Sequence, residues 1–171
     1  AFHPFRPRYL LLLCLRGNPA AMTLLCDVAE VLDLLPRGVR RVLHEPRFVT
    51  GVDESFTDGS VAPTMAPSAI LSGNPSRPTL VFDADLMHGT DPEAQRAVDT
   101  LSSLTREHRL GLCLERGDLL VVDNDRCIHG RSAFAARFDG TDRWLQRTFV
   151  VGDLGPSAAE HRGRVITTTF A

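Results

Sequence analysis

A chain of 171 residues with 43% hydrophobic and 23% charged residues has room for one domain with a real core, and its composition excludes a disordered or fibrous protein. Its basic residues, all arginine, number 19 against 21 acidic ones; the resulting charge of -2 is spread without a basic block, which argues against a nucleic-acid surface and for a small-molecule partner. The 4 cysteines lie far apart in mainly apolar runs with no C-x-x-C spacing, so they read as small hydrophobes in a reducing, cytoplasmic setting, and YLLLLCL at 9–15 is too short to span a bilayer.

Tyr9 to Leu15 is almost continuously apolar, the pattern of a strand covered on both faces, and Gly17, Asn18 and Pro19 break it. Leu24, Leu25, Val28, Val31, Leu32 and Leu35 then recur at three- and four-residue steps, which predicts an amphipathic helix over Met22 to Leu35, ended by Pro36. Val39, Val42 and Leu43 suggest a short second helix, and Arg47 to Val52 a strand. From Asp53 to Pro67 the chain turns to Asp, Ser, Thr, Gly and Pro without apolar periodicity; so long a loop reads as a lid, with a spacer as the alternative. Ala69 to Leu71 and Thr79 to Phe82 read as short strands around a Gly-Asn-Pro turn. Thr90-Asp91-Pro92-Glu93 is a helix start with Thr90 as N-cap, and the helix runs to about His108. Leu110 to Leu114, Leu119 to Val122, Leu145 to Val151 and Val165 to Phe170 complete a set of short strands, the second of them buried and closed by the turn Asp123-Asn124-Asp125. Many short strands with helices interposed predict a mainly β fold, an antiparallel sandwich or jelly roll decorated with helices.

Gly117 to Arg147 carries most of the chemical signal, placing one histidine and two arginines on what look like adjacent strands. His129 by itself reads more readily as hydrogen-bonded structure than as a metal ligand, because ligand histidines come with partners. If Arg143 to Val151 is extended, Arg143 and Arg147 point to the same face, and paired inward guanidiniums call for carboxylates, each held by two parallel hydrogen bonds. A solvated edge strand with surface arginines fits the spacing equally well. Asp83 and Asp85, two apart in FDADLM, would share a strand face and suit a guanidinium or ammonium, the ordinary alternative being charges at an exposed strand end.

The run GDLLVVDNDRCIHGRSAF with FDGTDRWLQR resembles the C-terminal half of the clavaminate synthase-like iron(II)/2-oxoglutarate oxygenases, which include asparagine and arginine hydroxylases of peptide-antibiotic pathways. AFHPFRPRYLLLLCLR resembles the strand after that family's iron-binding His-x-Glu motif, TLLCDVAEVLDLLP its next helix, and FDADLMHGTDPEA its substrate-contacting strand and helix. The likeness thus covers nearly the whole chain in order. It implies a double-stranded β-helix (jelly roll), with residues 1–171 as the C-terminal major part of one oxygenase domain. It also implies Fe(II), 2-oxoglutarate and O2, and hydroxylation of a basic or polar free L-amino acid, with the β-carbon as the leading position.

By the same resemblance, His129 matches the distal histidine of the facial triad that holds iron. Arg143 matches the arginine that pairs with the far carboxylate of 2-oxoglutarate, and Thr23, at the start of the first predicted helix, a threonine touching the same end. Arg147 matches an arginine holding the substrate's carboxylate, and Asp83 an acidic substrate contact with Asp85 beside it. One departure stands out: the proximal His-x-Glu pair, expected just before Ala1, does not occur in the chain, and His3, His44, His88, His108 and His161 show no His-x-acid pattern. The expectation is therefore that an N-terminal part precedes Ala1. The alternative is a non-catalytic jelly-roll binding module that keeps the arginine pocket without the metal. A hydrolase has no nucleophile elbow or ordered triad to recommend it.

Overall fold

The computed structural model describes residues 7–51 and 66–153, together with the backbone of two short paired strands at 161–162 and 165–166. The described elements run β1 (Tyr9–Arg16), β2 (Thr23–Asp27), α1 (Val28–Leu32), α2 (Arg37–Leu43), β3 (Phe48–Thr50), β4 (Leu71–Ser72), β5 (Thr79–Leu80), β6 (Met87–Gly89), α3 (Pro92–Glu107), β7 (Leu110–Leu112), β8 (Leu119–Asp123), β9 (Cys127–Arg131), β10 (Trp144–Val150), β11 (His161–Arg162) and β12 (Val165–Ile166). The fold is mainly β with few helices. Residues 53–65 of the expected lid, and 167–170 of the last expected strand, lie outside the described residues.

Two antiparallel three-stranded sheets carry the residues of interest. In the first, ordered β10-β1-β8, Leu10 pairs with Phe149 and Val122, and Leu12 with Arg147 and Leu120. Strand alternation therefore puts Leu10, Leu12, Cys14, Val122 and Arg147 on one face, where Leu10 and Cys14 are buried. Tyr9, Leu13, Leu119 and Val121 share the other face and are exposed. The expectation of strands buried on both sides is thus corrected for β1 and β8: continuous apolar sequence records two apolar faces, and only one of them is covered here.

The second sheet is ordered β7-β2-β9. Cys26 pairs with Ile128 and turns toward the helical core, while Thr23, Leu25, His129 and Arg131 lie on the opposite face. The predicted helix over Met22 to Leu35 is corrected by this sheet. Residues 23–27 are extended because ladders on both sides, to β7 and β9, satisfy their backbone groups, and helix begins only at Val28, where the Asp27 carboxylate accepts from the Ala29 amide. Thr23 accordingly stands on a strand and not at a helix start.

The main core lies among the helices and short strands. Ala94, Ala97, Val98 and Leu101 form one stripe of α3, buried with Val31 and Leu32 of α1, Leu43 of α2, Phe48 and Ile70. The cap of α3 is Asp91, not Thr90: the extended Asp91 accepts from the amides of Glu93 and Ala94, whereas the Thr90 amide and hydroxyl both donate to the Arg47 carbonyl. Arg47 locks that start by binding Asp91 at 2.6 Å and Glu93 at 2.9 Å. Gly89 is required just before it, since a Cβ there would collide with the backbone of Ala94 and Gln95. No helix among the described residues is long and apolar enough to cross a membrane.

Candidate functional site

Arg143 owes its position to the turn before β10. Asp142 accepts from the amides of Arg137 and Phe138, Asp139 accepts from the Thr141 amide and hydroxyl, and Gly140 takes φ +80°. From across the sheet, Arg16 of β1 donates to the carbonyls of Gly140 and Asp142. The next side chain, Arg143, leaves this tied turn half-buried, and its Nη2 donates to the Thr23 hydroxyl at 2.5 Å. Thr23 is only 2% exposed, so water cannot replace that bond. Burial lowers the pKa of Arg143, though arginine remains cationic regardless. Among the described residues its guanidinium faces no carboxylate.

His129 and Arg147 do not lie on adjacent strands, as the sequence suggests, but on different sheets, and Arg143 stands in the turn before β10. The connection β8-turn-β9 carries the chain from one sheet to the other. Arg8 clamps the turn between them, bonding Asp123 at 2.7 Å and Asp125 at 2.8 Å. His129, paired with Leu25, faces an open cleft; its outer side meets solvent while the cleft walls crowd the ring. This crowding lowers the imidazole pKa, the Arg147 cation adds to the lowering, and Asp83 opposes it. Arg147 and Asp83, which the sequence places in one site with His129, are therefore both within electrostatic reach of its ring. Arg147 is exposed, with its guanidinium 5.1 Å from the Phe149 ring.

Asp83 and Asp85 border the same cleft of about 400 Å³ as His129, but not as neighbours on one strand face. Asp83 instead makes a turn, its Oδ1 accepting from the amides of Asp85 and Leu86. The turn forms because an Asp side chain bonds the backbone two residues on more readily than a strand edge can use it. Asp83 is half-buried and Asp85 exposed. Arg106 at the end of α3 and Arg109 just beyond it also border the cleft.

The residues fit the two implied groups unequally. For iron, His129 offers one imidazole, and no cluster of three or more His, Cys, Asp or Glu side chains among the described residues could hold a metal ion. For a dicarboxylate, the fit is better: a half-buried guanidinium bonded to a buried hydroxyl, with no acidic partner among the described residues, suits one carboxylate end. Arg131 was outside the sequence-derived set. It stands on the face of Thr23 and His129, and the signal that could have found it is alternation, since it lies two residues after His129.

The chain matches the model of the family described as Taurine catabolism dioxygenase TauD, TfdA family, over residues 1–149. The L-lysine 3-hydroxylase of Catenulispora acidiphila is 41% identical to it over 177 residues, an alignment covering 100% of this chain and 49% of the hydroxylase. The L-asparagine oxygenase of Streptomyces coelicolor is 40% identical over 165 residues, covering 93% of this chain and 48% of the oxygenase. A solved asparagine oxygenase, in complex with Fe(II), 2S,3S-3-hydroxyasparagine and succinate, matches with a TM-score of 0.87 at 38% identity over 93% of this chain and 50% of that one. The non-heme iron oxygenase OrfP, in complex with Fe, succinate and (3S)-hydroxy-L-Arg, gives 0.79 at 33% identity over 95% and 50%. This chain spans about half the length of these relatives.

Proposed function

The chain belongs to the TauD/TfdA dioxygenase family, and from that premise we propose that it acts as an Fe(II)/2-oxoglutarate-dependent oxygenase, hydroxylating a free L-amino acid at the β-carbon in natural-product biosynthesis. The observation that carries this reading is the Arg143–Thr23 pair, a guanidinium without a carboxylate among the described residues, joined through the ladder partner of Thr23, Arg131, to the cleft that Arg131 lines with His129 and Asp83. The sheets β10-β1-β8 and β7-β2-β9 are, on this reading, two parts of one jelly roll, and residues 1–171 the C-terminal major part of its domain. The free state of all four cysteines agrees with a cytoplasmic enzyme.

Iron(II) held in part by His129 supplies the oxidising chemistry, with O2 and 2-oxoglutarate as co-reactants. Arg143 and Thr23 grip the far carboxylate of 2-oxoglutarate and fix which way it enters the cleft. Burial shifts the His129 imidazole toward its neutral form, the form that can donate a lone pair to a metal. Arg147 holds the α-carboxylate of the substrate. Asp83, whose second oxygen is left over from the turn, and Asp85 meet a cationic or amide side chain. Adjacent acids on the Asp83 turn suit a basic or amide side chain, in keeping with lysine and arginine derivatives as the ligands or substrates of relatives.

The test is an anaerobic titration of the full-length protein with Fe(II) and 2-oxoglutarate, read by its weak visible charge-transfer band, followed by a screen for succinate release over free amino acids. A band, with release stimulated most by a basic or amide amino acid, is expected. Absence of both the band and succinate release with every amino acid would refute the oxygenase. Retained amino-acid binding in that case would support the non-catalytic binding module instead.

A further inference from the structure

We propose that Arg131 is a second positioning cation for the far carboxylate of 2-oxoglutarate, so that this end of the cleft is a two-arginine seat centred on Thr23; the inference rests on the function proposed above. Arg131 closes β9 and is the direct ladder partner of Thr23. Side chains so paired leave the same face with Cβ atoms about 5 Å apart. The Thr23 hydroxyl is the group that holds Arg143 at 2.5 Å. One guanidinium therefore bonds the buried Thr23 hydroxyl from the turn before β10, and a second leaves β9 from the position directly across the ladder. The charge of Arg131 acts on Arg143, adding to burial in lowering its pKa.

Such a pair repels itself unless an anion sits between its members. Some arginines of the fold are neutralised within it: Arg8 has Asp123 and Asp125, Arg47 has Asp91 and Glu93, and Arg137 has Asp139 and Asp142. Among the described residues, Arg131 and Arg143 have none. Arg131 is instead steadied by an aromatic face, its guanidinium 4.5 Å from the centre of the Phe134 ring. Stacking orients the planar group while leaving its N–H edge free to donate, which lysine cannot imitate. With Arg147 assigned to the substrate, the arrangement gives the cosubstrate's far carboxylate two cations and discriminates a 2-oxo diacid from a 2-oxo monoacid by charge.

Equilibrium dialysis under anaerobic conditions with Fe(II) tests this, comparing 2-oxoglutarate with 2-oxopentanoate, which keeps the 2-oxo acid but lacks the far carboxylate. Arg131→Gln is expected to weaken 2-oxoglutarate binding about fivefold, the size of one exposed charge pair, and to leave 2-oxopentanoate unchanged. Arg131→Lys should restore part of the loss, and the salt dependence of 2-oxoglutarate binding should be shallower in Arg131→Gln than in the wild type. Unchanged binding of both acids by Arg131→Gln, or equal weakening of both, would overturn the role of Arg131. If the wild-type protein itself binds no 2-oxoglutarate, the function reading falls and the inference with it.

Discussion

Replacing Thr23 with valine removes one hydroxyl and preserves the side-chain volume, so it isolates the bond that joins β2 to the turn before β10. In the native protein Thr23 is 2% exposed and its hydroxyl accepts from Arg143 at 2.5 Å. Without it, a half-buried guanidinium N–H loses its partner where water enters poorly, and an unmet buried donor costs about 1–3 kcal/mol. For a chain of 171 residues, each kcal/mol moves the melting temperature by roughly 2–4 °C. Thr23→Val should therefore melt some degrees below the wild type. It should also bind 2-oxoglutarate more weakly, because Arg143 is no longer held in place. Thr23→Ser, which keeps the oxygen, should recover most of both properties. Differential scanning calorimetry and anaerobic dialysis measure the two effects side by side. A Thr23→Val protein with wild-type melting and wild-type 2-oxoglutarate affinity would refute the claim that this hydroxyl organises the carboxylate seat.

Two further outcomes test the scaffold. Leu101→Ala, at a side chain of α3 with 0% exposure, opens a cavity against α1, α2 and Phe48 and should cost about 2–5 kcal/mol in urea unfolding; a cost below about 1 kcal/mol would mean that α3 is not packed as described. Asp91 has its carboxyl held well below the ordinary carboxylate range, first by Arg47 and then by the helix amides it caps. Because its folded pKa is depressed, its contribution is present above the unfolded value near 3.8 and fades as pH falls below it toward the folded pKa. Stability curves between pH 7 and pH 2 should accordingly fall less steeply for Asp91→Asn than for the wild type, and parallel curves would contradict the assignment.

Where a local signal and its partners lie close together in the chain, sequence and structure agree. The helix of Pro92–Glu107 carries its cap, its proline and its buried stripe within one segment, so only the choice between Thr90 and Asp91 as cap needs the fold, through Arg47. The strands at Tyr9–Arg16, Leu119–Asp123 and Trp144–Val150 are readable from apolar runs, although which of their faces is covered is not. The stretch from Thr23 to Asp27 is the instructive failure. Its spacing continues into α1 as if helical, but its two hydrogen-bonding partners, Leu110–Leu112 and Cys127–Arg131, lie roughly a hundred residues on. Asp83 and Asp85 fail for a different reason, since an aspartate that can bond its own downstream amides makes a turn out of what alternation reads as a strand.

The sequence by itself determined the chemistry available to this protein: one histidine in HGR, arginines four apart in DRWLQR, acids in FDAD, and their likeness to one oxygenase family. Side-chain type and short spacing are local properties, so they survive without a fold. Only the tertiary structure decided the company those residues keep. It set Arg143 on the hydroxyl of a threonine 120 residues earlier, put His129 and Arg147 on different sheets yet within electrostatic reach, and made Arg131 the ladder partner of that threonine. The physical reason is that strand pairing joins segments by register and not by distance along the chain. A residue's partner across a ladder is a property of the whole sheet.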